Sequence, residues 1–547
     1  MIVIKINGKK IKARQGQTVL EVALENGIDI AHLCWHPDLE AKADCRLCLV
    51  SVKGCPLPQT ACATLVKDGM EVITETAELE KLRKTNLELI FSQHKEECED
   101  CVWDYNCELL KLAKKYNVKM TRFADRKTNF PAFALGATAG EAILQFDSSK
   151  CVDCRNCVDI CAKQQVNHLK IIKKDNLQQV VPNDENPCVF CGQCLIHCPA
   201  GAFESESEFE QIEKPFKDKS KTIIFQFAPS IRTAIGEEFG LPPGVDLTGQ
   251  ITAGLKQLGA NYVFDTSCGA DFTTFEEAKE AVERLNKKEN LPIFSSCCPS
   301  WVRFIEIYHP NLIPHLASTR PPHIILGGLV KTYWAKQKKI DRENIIVISV
   351  MPCIAKKYEI TRQEFFIDGK PPVDYVLTTR ELARLFKKQG IDLTKIEPIA
   401  LDNPFGEFSG AGVIYGASGG VMEAVLRTKQ KLQKCKAPSA LQTIAVSGLD
   451  KAEKILQELE QNPNGYTCVE VMACWDGCVG GGGQPLPTTP AIRQARAEGL
   501  RQIDKNKKLK LAHENPTLKK IYEEFLTNEE IINKICHTKY ANKSFSA

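Results

Sequence analysis

Cysteine is the most informative residue type in this chain, because its 25 copies among 547 residues stand in clusters that could bind metal. A disulfide framework is typical of short secreted chains, whereas this chain is long and its first residues lack the pattern of a signal peptide. Repeated CxxC spacings in such a chain indicate metal ligation, above all by iron–sulfur clusters. We therefore expect most of the cysteines to bind iron.

Two similar cysteine runs give the most specific signal. Each has the spacing Cx2Cx2Cx3C of bacterial ferredoxins with two [4Fe–4S] clusters, in which the fourth cysteine of each run binds the other cluster. We expect one cluster to be bound by Cys151, Cys154, Cys157 and Cys198, and the other by Cys188, Cys191, Cys194 and Cys161. Ala162 stands where proline usually follows, which changes a turn but removes no ligand.

A further cysteine group lies near the N-terminus. Its members are Cys34, Cys45, Cys48 and Cys62, whose spacing is close to the plant-type [2Fe–2S] pattern, although the first gap is longer. A zinc site is the alternative. Cys55 lies in the same loop but does not fit the spacing, so we expect it not to be a ligand.

The next group combines one imidazole with three thiolates, from His94, Cys98, Cys101 and Cys107. Such a set could bind zinc or a [4Fe–4S] cluster, and the spacing does not separate the two. The segment resembles the His/Cys3 [4Fe–4S] module of iron-only hydrogenases and of the large iron–sulfur subunit of respiratory complex I, which favours the cluster. One [2Fe–2S] and three [4Fe–4S] clusters would form an electron relay.

Three motifs in the C-terminal part could hold a further cluster. They read SSCCPSW (295–301), MPCIAKKYE (351–359) and EVMACWDGCVGGGGQP (470–485). Cys353, Cys474 and Cys478 supply three thiolates, and either Cys297 or Cys298 would supply the fourth, because adjacent side chains point in different directions. Gly477 and the glycines at 480–483 would let the backbone approach a bulky cofactor.

These three motifs resemble the signatures of the [FeFe]-hydrogenase catalytic domain, and the order of modules is similar to that of the large monomeric clostridial members. The resemblance implies the reaction 2 H⁺ + 2 e⁻ ⇌ H₂ at an H-cluster, a [4Fe–4S] cube joined to a diiron unit with CO, cyanide and azadithiolate ligands. By motif position it implies that the cube is bound by Cys298, Cys353, Cys474 and Cys478, the last being the shared sulfur.

The resemblance also implies that Cys297 delivers protons, which suits a free thiol because it can both donate and accept them. The alternative is a buried small hydrophobe. Upstream, the stretch DFTTFEEAKEAVERL predicts a helix with Glu277, Glu280 and Arg284 on one face. The family's proton path falls on these residues, and a solvated charged face is the alternative. Ala317 stands where the family usually has serine, so either Ser318 or water fills the gap or the proton path differs.

The diiron pocket implied by the resemblance includes Pro229, Ser230, His323, Met351, Lys356 and Met472. Lys356 would donate to a cyanide and the methionines would offer apolar surface, while Glu359 and Glu470 would hold Lys356 and the loops. Three positions depart from the common pattern: His323 stands in place of glutamine, Cys268 in place of an aromatic residue and Ser295 in place of threonine.

The strand and helix patterns around these residues predict a multidomain α+β and α/β protein. We expect a β-grasp [2Fe–2S] ferredoxin-like domain (1–78), a small helical His/Cys3 [4Fe–4S] domain (79–136), a bacterial two-cluster [4Fe–4S] ferredoxin-like domain (137–208) and a large α/β H-cluster domain (209–547). In the last, apolar runs such as TIIFQFAP alternate with amphipathic helical patterns, which favours parallel sheets.

The overall composition limits which kinds of binding partner are expected. A net charge of +3 and the absence of long apolar runs give no case for binding nucleic acid or a membrane. We expect a cytoplasmic enzyme, a monomer or one with partner subunits, that exchanges electrons with a ferredoxin- or flavodoxin-like carrier and is loaded by H-cluster maturation proteins. The alternatives are a complex I-type subunit, the catalytic subunit of an NAD-linked multimeric hydrogenase, an H₂ sensor and an iron–sulfur assembly factor.

Overall fold

The N-terminal part is a mixed sheet packed against one helix. The computed structural model describes residues 1–95, 98, 101, 103, 107–119, 122–123, 132–136, 142–174, 177–205, 209–432 and 442–543. Its first elements are β1 (Ile2–Ile6), β2 (Lys9–Ala13), α1 (Val19–Glu25), β3 (Leu49–Val52), β4 (Gln59–Thr60) and β5 (Glu71–Ile73). The strand order is β2-β1-β5-β3-β4, with only the β1–β5 pair parallel among these strands. Thr18 and Glu21 form a capping box that starts α1. The predicted ferredoxin-like fold is confirmed.

Four helices and a pair of small sheets follow. They comprise α2 (Ala77–Phe91), α3 (Glu108–Lys115), β6 (Phe133–Gly136), β7 (Ala142–Phe146), α4 (Asn156–Lys163), β8 (Leu169–Lys174), β9 (Leu177–Pro182), α5 (Gln193–Ile196) and β10 (Phe203–Ser205). Helices α4 and α5 begin after Arg155 and Gly192, which have φ angles of 60° and 69°. Both residues stand directly after the second cysteine of a Cx2Cx2Cx3C run, so the two runs make the same left-handed turn into a helix.

The C-terminal part contains two parallel sheets, as the alternation of apolar runs and helical patterns predicted. One has the order β12-β11-β14-β15 and the other β13-β17-β16. The strands are β11 (Thr222–Phe227), β12 (Tyr262–Asp265), β13 (Ile293–Phe294), β14 (Ile345–Met351), β15 (Tyr375–Thr378), β16 (Thr443–Ser447) and β17 (Cys468–Met472). All seven residues of β14 are apolar or small, and six of them are buried, which is typical of a parallel strand covered on both faces.

The helices of this part surround the two sheets. They are α6 (Phe209–Lys217), α7 (Thr248–Gln257), α8 (Thr266–Lys287), α9 (Pro299–Tyr308), α10 (Pro322–Leu329), α11 (Ala335–Lys338), α12 (Ala355–Glu359), α13 (Thr379–Lys388), α14 (Gly410–Val413), α15 (Gly420–Leu432), α16 (Leu449–Gln461), α17 (Pro490–Asn506), α18 (Pro516–Glu524) and α19 (Glu529–Cys536). A π-helical turn, Val330–Trp334, joins α10 to α11. In the part of the chain that the structure describes, no helix has both the length and the apolar character that a bilayer crossing requires.

The N-terminal sheet domain is fastened to the C-terminal part by an ion pair. Arg493 of α17 donates to both carboxylate oxygens of Asp38, over 2.7 and 3.0 Å, and to Asp476 over 2.7 Å. His197 lies on the other side of Asp38, with 3.3 Å between its Nε2 and Oδ2. Burial opposes the charge on Asp38, but the hydrogen bonds from His197 and Arg493 outweigh it and hold the pKa of this carboxyl below its usual range.

Candidate active site and iron–sulfur sites

The C-terminal motifs meet because they follow parallel strands. The carboxyl ends of parallel strands are where α/β proteins build their sites, and here such ends from both sheets come together. Strands β11, β14 and β17 end at Phe227, Met351 and Met472, and each is followed at once by a motif residue. One apolar cavity lies among these ends, lined by Ala228, Pro229, Ser230, Thr266, Ala270, Cys297, Cys298, Pro299, Pro322, His323, Met351, Pro352, Cys353, Lys356, Tyr415, Gly416, Met472, Cys474, Gly477, Cys478 and Gly481.

Four thiols converge on this cavity from three motifs. Burial raises the pKa of each of the four, which are Cys298, Cys353, Cys474 and Cys478, and neighbouring thiols raise it further in the last three. Buried thiols this close would resist ionisation without a cation, whereas iron stabilises the thiolate. Ser230 adds a buried hydroxyl for which the described residues offer no hydrogen-bond partner. The thiols, the unpaired hydroxyl and the apolar walls fit an iron–sulfur cluster carrying a further polar group.

The two adjacent cysteines differ in their surroundings. The Sγ of Cys298 accepts a hydrogen bond from the backbone N–H of Ala473 over 3.5 Å, a contact typical of a sulfur that binds iron. Cys297 packs against a separate apolar cluster that includes Ala270, Tyr415 and Met472. Burial, followed by the charges of neighbouring groups, raises the pKa of Cys297 well above its ordinary value, so it is a neutral thiol at neutral pH.

A buried charged network backs the cavity. Lys356 donates from Nζ to Glu359 over 2.7 Å and to the carbonyl oxygen of Cys297 over 3.0 Å. His323 lies 2.5 Å from the same carboxylate through Nε2. Burial opposes the charge on Lys356, yet Glu359 outweighs it and raises the pKa of the lysine. Burial and then Lys356 lower the pKa of His323, so Lys356 is the cation of the network.

The carboxylates of α8 lie between the cavity and an open polar cavity. Burial raises the pKa of Glu277 to about 8, with further contributions from Glu280 and Glu470. The Glu280 carboxylate accepts hydrogen bonds from the Ser318 backbone N–H over 3.0 and 3.1 Å and from its hydroxyl over 2.9 Å. The open polar cavity is lined by Glu276, Lys279, Glu280, Glu283, Arg284, Lys287, Glu289, Asn290, Ser318, Glu529, Ile532, Asn533 and His537.

Three positions singled out in the sequence have structural surroundings of their own. Ala317 is completely buried in an apolar cluster and brings no polar atom. Glu470 accepts backbone hydrogen bonds from Gly419 and Met422 over 2.6 and 2.8 Å, so it fixes the start of α15. The hydroxyl of Ser295 accepts from the backbone N–H of Val471 over 3.1 Å, which joins the SSCCPSW loop to β17.

The ferredoxin-type cysteines come together as two crossed sets. Cys198 interacts electrostatically with Cys151, Cys154 and Cys157, while Cys161 does so with Cys188, Cys191 and Cys194. The second set lies against the active-site cavity, because the Sγ of Cys474 is 3.9 Å from the carbonyl oxygen of Cys191. Gly192 is in close contact with Gly482, and a Cβ atom there would lie 3.0 Å from the Gly482 Cα. Glycine at this position therefore lets the two sites approach each other.

The members of each of the two N-terminal groups of predicted ligands also lie close together. Cys34 contacts Cys45, and Cys48 contacts Cys62, which raises the pKa of Cys34 and Cys62. Cys55 is exposed, apart from them. His94, Cys98, Cys101 and Cys107 line one small cavity together with Trp103 and Lys150. The Nδ1 of His94 is 2.9 Å from the carbonyl oxygen of Lys150, the arrangement expected of a histidine that binds metal through Nε2.

Sequence reasoning missed two residues at these sites. Tyr415 lines the active-site cavity, and its hydroxyl lies 2.8 Å from that of Thr274 on α8. Nothing in the stretch around it, GVIYGASGG, distinguishes it from a core aromatic residue. His537 contacts Ser318 from a segment that carries no recognisable motif. Neither residue could be found from spacing, because each reaches its site only through the tertiary fold.

Comparison with known proteins finds matches in five segments of the chain. Family models match iron-only hydrogenase large subunit, C-terminal domain (221–482), 2Fe-2S iron-sulfur cluster binding domain (1–77), iron hydrogenase small subunit (490–543), NADH-ubiquinone oxidoreductase-G iron-sulfur binding region (83–122) and 4Fe-4S dicluster domain (150–202).

Similar proteins include the NADP-reducing hydrogenase subunit HndD of Solidesulfovibrio fructosivorans, 35% identical over 99% of both chains. Iron hydrogenase 1 of Clostridium pasteurianum is 34% identical over 99% of this chain and 100% of its own. A solved structure of a variant [FeFe]-hydrogenase HydA1 from Chlamydomonas reinhardtii matches with a TM-score of 0.56 and 32% identity, covering 62% of this chain and all of the other. The chain therefore belongs to the [FeFe]-hydrogenase family, and it is an oxidoreductase with an iron-only hydrogenase domain and N-terminal iron–sulfur domains.

Proposed function

We propose that this enzyme interconverts protons and H₂ reversibly at an H-cluster whose cube is held by Cys298, Cys353, Cys474 and Cys478, with Cys478 as the shared sulfur. The observation that carries the proposal is the convergence of these four thiols and Cys297 on one apolar cavity. When bound, the H-cluster, with its CO, cyanide and azadithiolate ligands, supplies the redox chemistry that joins two electrons to two protons.

The residues of the cavity wall would bind and orient the cofactor. Lys356 is a buried cation whose pKa Glu359 raises, so it suits an anionic ligand such as cyanide. The unpaired hydroxyl of Ser230, beside Pro229, is placed to donate a further hydrogen bond. Met351 and Met472 offer polarizable apolar surface that excludes water. His323 acts through Glu359, which it contacts over 2.5 Å, and holds that carboxylate toward Lys356.

Protons would move through Cys297, Glu277, Ser318 and Glu280. A neutral thiol at Cys297 can donate a proton into the cavity and take one back from behind it. With its pKa raised to about 8, Glu277 carries a proton at neutral pH and can therefore supply one. Ser318 serves as the hydroxyl at the outer end, bonded to Glu280 over 2.9 Å. Since Ala317 offers no polar atom, water has to complete the inner stretch of the path.

Electrons would move along the accessory clusters, for which we propose one [2Fe–2S] and three [4Fe–4S] clusters in the predicted ligand sets. The chain would divide into the four predicted domains, with residues 1–78, 79–136, 137–208 and 209–547. The approach of Cys474 to Cys191, 3.9 Å from sulfur to carbonyl oxygen, supports a final step from the second ferredoxin-type cluster to the cube. The external partner would be a ferredoxin- or flavodoxin-like carrier in the cytoplasm, and dedicated maturation proteins would load the H-cluster.

A second candidate function is that of the catalytic subunit in a multimeric, nicotinamide-linked hydrogenase. The specific observation in its favour is the 35% identity, over 99% of both chains, to a protein named as a subunit of an NADP-reducing hydrogenase. The two candidates share the same active-site chemistry and differ in the electron partner. Affinity purification of the tagged chain from its native host separates them, because a stable flavin- and nucleotide-binding subunit would accompany it only in the second case.

The activity is tested by producing the chain anaerobically together with H-cluster maturation proteins. We expect H₂ evolution from reduced methyl viologen and H₂ oxidation with the oxidised dye. A matched sample produced without the maturation proteins should contain the accessory clusters but show no turnover. A fully iron-loaded, matured protein that neither evolves nor oxidises H₂ would exclude the proposed function.

A further inference from the structure

The hydroxyl of Ser318 contacts two titratable groups, and only one of them belongs to the proton path described above. On one side it donates to Glu280 over 2.9 Å. On the other side it lies 2.8 Å from the Nδ1 of His537. The Nε2 of His537 lies in turn 3.1 Å from a carboxylate oxygen of Glu276. These contacts form a continuous chain of polar groups from Glu280 through a serine and a histidine to a second carboxylate.

Arg284, the other neighbour of Glu280, is built to hold this carboxylate rather than to pass protons. Its guanidinium forms an ion pair with Glu280 and also donates to three consecutive backbone carbonyl oxygens, those of residues 314–316. A guanidinium keeps its proton at any pH at which a protein is folded, whereas an imidazole takes up and releases protons near neutral pH. Of the two neighbours, the histidine is the one that can relay.

The backbone fixes the position of His537. Residues 536–538 run antiparallel to residues 318–320 and form a bridge between Thr319 and His537. The carbonyl oxygen of Cys536 accepts from the Arg320 backbone N–H over 2.7 Å, and the Thr538 N–H donates to the Ser318 carbonyl oxygen over 2.8 Å. Because the serine and the histidine lie on two segments joined by backbone hydrogen bonds, the backbone holds their side chains close together.

The imidazole also reaches water. Its side chain is 18% exposed, compared with 5% for Glu276, and both residues line the open polar cavity. The titratable and charged groups that line the same cavity are Glu276, Lys279, Glu280, Glu283, Arg284, Lys287, Glu289 and Glu529. Tyr522 of α18 bonds to Glu276, and Arg320 donates from Nε to the carbonyl oxygen of His537 over 2.6 Å. Burial opposes ionisation of Glu276, but hydrogen bonds from His537, Lys279 and Tyr522 lower its pKa to about 2, so it remains a carboxylate that orients the ring.

We propose that His537 is the residue through which protons enter and leave the path, exchanging them with water in the open polar cavity and with Glu280 through the hydroxyl of Ser318. This inference rests on the proposed function. In the inward step, the Nδ1–H bond of the imidazolium breaks and an O–H bond forms at Ser318, while the serine passes its own proton to the Glu280 carboxylate. The neutral ring keeps its Nε2 proton beside Glu276, and rotation of the ring with uptake of a proton from water restores the donor.

The test is the variant His537→Gln, because glutamine can bond to Ser318 but cannot relay a proton. H₂ production and oxidation are measured as a function of pH in the variant and in the wild type. We expect rates roughly a hundredfold lower, the small end of general acid–base effects, and a larger solvent isotope effect. Added imidazole should restore part of the rate in His537→Ala. The control is His309→Gln, since His309 pairs with Glu453, 3.0 Å away, and does not line the open polar cavity.

Iron content and the infrared spectrum of the cofactor establish that each variant is folded and loaded. A loaded His537→Gln enzyme with the wild-type rate, pH profile and isotope effect would overturn the proposal, as would a slow His537→Ala enzyme on which imidazole has no effect. Failure of the proposed function is a different result, namely a loaded wild-type enzyme without H₂ turnover.

Discussion

Lys356 donates a hydrogen bond from Nζ to the backbone carbonyl oxygen of Cys297 over 3.0 Å, and a second one to Glu359 over 2.7 Å. The lysine comes from the loop and helix that follow β14, and the cysteine comes from the loop that precedes α9. One buried cation therefore links the residue proposed to move protons to the carboxylate that holds the cation in place. Changes to this link and to the path behind it have distinct expected effects.

Replacing Lys356 by methionine should destabilise the active site, because it leaves the Glu359 carboxylate buried without its cation. Removing one partner of a buried ion pair costs about 3–5 kcal/mol. We expect a lower melting temperature and incomplete diiron loading, measured by calorimetry and by iron analysis. Lys519→Met, at an exposed lysine of α18, is the control. A Lys356→Met protein with wild-type stability and full loading would contradict the role of the pair.

Replacing Cys297 and replacing Cys298 should have different effects. Cys297→Ala removes the proton carrier but no ligand, so iron content should stay at the wild-type level while turnover falls by about 10²–10⁴-fold. Cys298→Ala removes a cube ligand and should lower the iron content as well. Iron analysis and H₂ assays on the same samples measure both effects. Cys55→Ala, at an exposed cysteine outside the proposed sets, should change neither. Equal iron loss in both variants would show that the roles were assigned wrongly.

Glu277 should be protonated at neutral pH. Burial raises its pKa to about 8, so the carboxyl is neutral below that pH and becomes charged above it. An infrared difference spectrum of wild type minus Glu277→Gln at pH 7 should contain a carboxylic acid C=O band that titrates away near pH 8. The difference isolates this group from Asp271 and Glu470, whose pKa values burial raises to about 7. Glu283→Gln, at an exposed glutamate, should not alter the band. A band missing at pH 7 would contradict the expected protonation.

Ala317 is the point at which the path lacks a side-chain carrier. Ala317→Ser would add a hydroxyl there, so we expect faster turnover and a smaller solvent isotope effect where proton transfer limits the rate. The hydroxyl enters an apolar cluster, and it would cost about 1–3 kcal/mol of stability if it found no partner. Ala452→Ser, in the distant helix α16, provides the control for a buried hydroxyl. An unchanged isotope effect in Ala317→Ser would mean that water alone already carries protons across this stretch at full speed.

The spatial grouping of the ferredoxin-type cysteines could be predicted, because their spacing is local. The Cx2Cx2Cx3C runs make the same turn into α4 and α5, so sequence neighbours in each run are also spatial neighbours. The α/β class followed from apolar runs such as β14, which became buried parallel strands. In both cases a short segment contains the whole signal, because a strand or a CxxC turn forms from adjacent residues.

Contacts between distant segments could not be anticipated in this way. His537 reaches Ser318 across 219 residues, and Arg493 reaches Asp38 across 455. Neither pair has a spacing that local structure imposes, so only the packed fold reveals them. The Cys297–Cys298 pair is similar: the spacing of the motifs required one of the two as a ligand, and the different contacts of the two side chains are visible only in the packed fold.

We propose that the cavity lined by Cys298, Cys353, Cys474 and Cys478 holds an H-cluster. Infrared spectroscopy of anaerobically matured protein tests it most directly, because CO and cyanide bound to iron absorb where protein and water do not. We expect sharp CO and cyanide bands in the wild type and in Cys297→Ala, and their loss in Cys478→Ala. Matured, fully iron-loaded wild-type protein without these bands would contradict it.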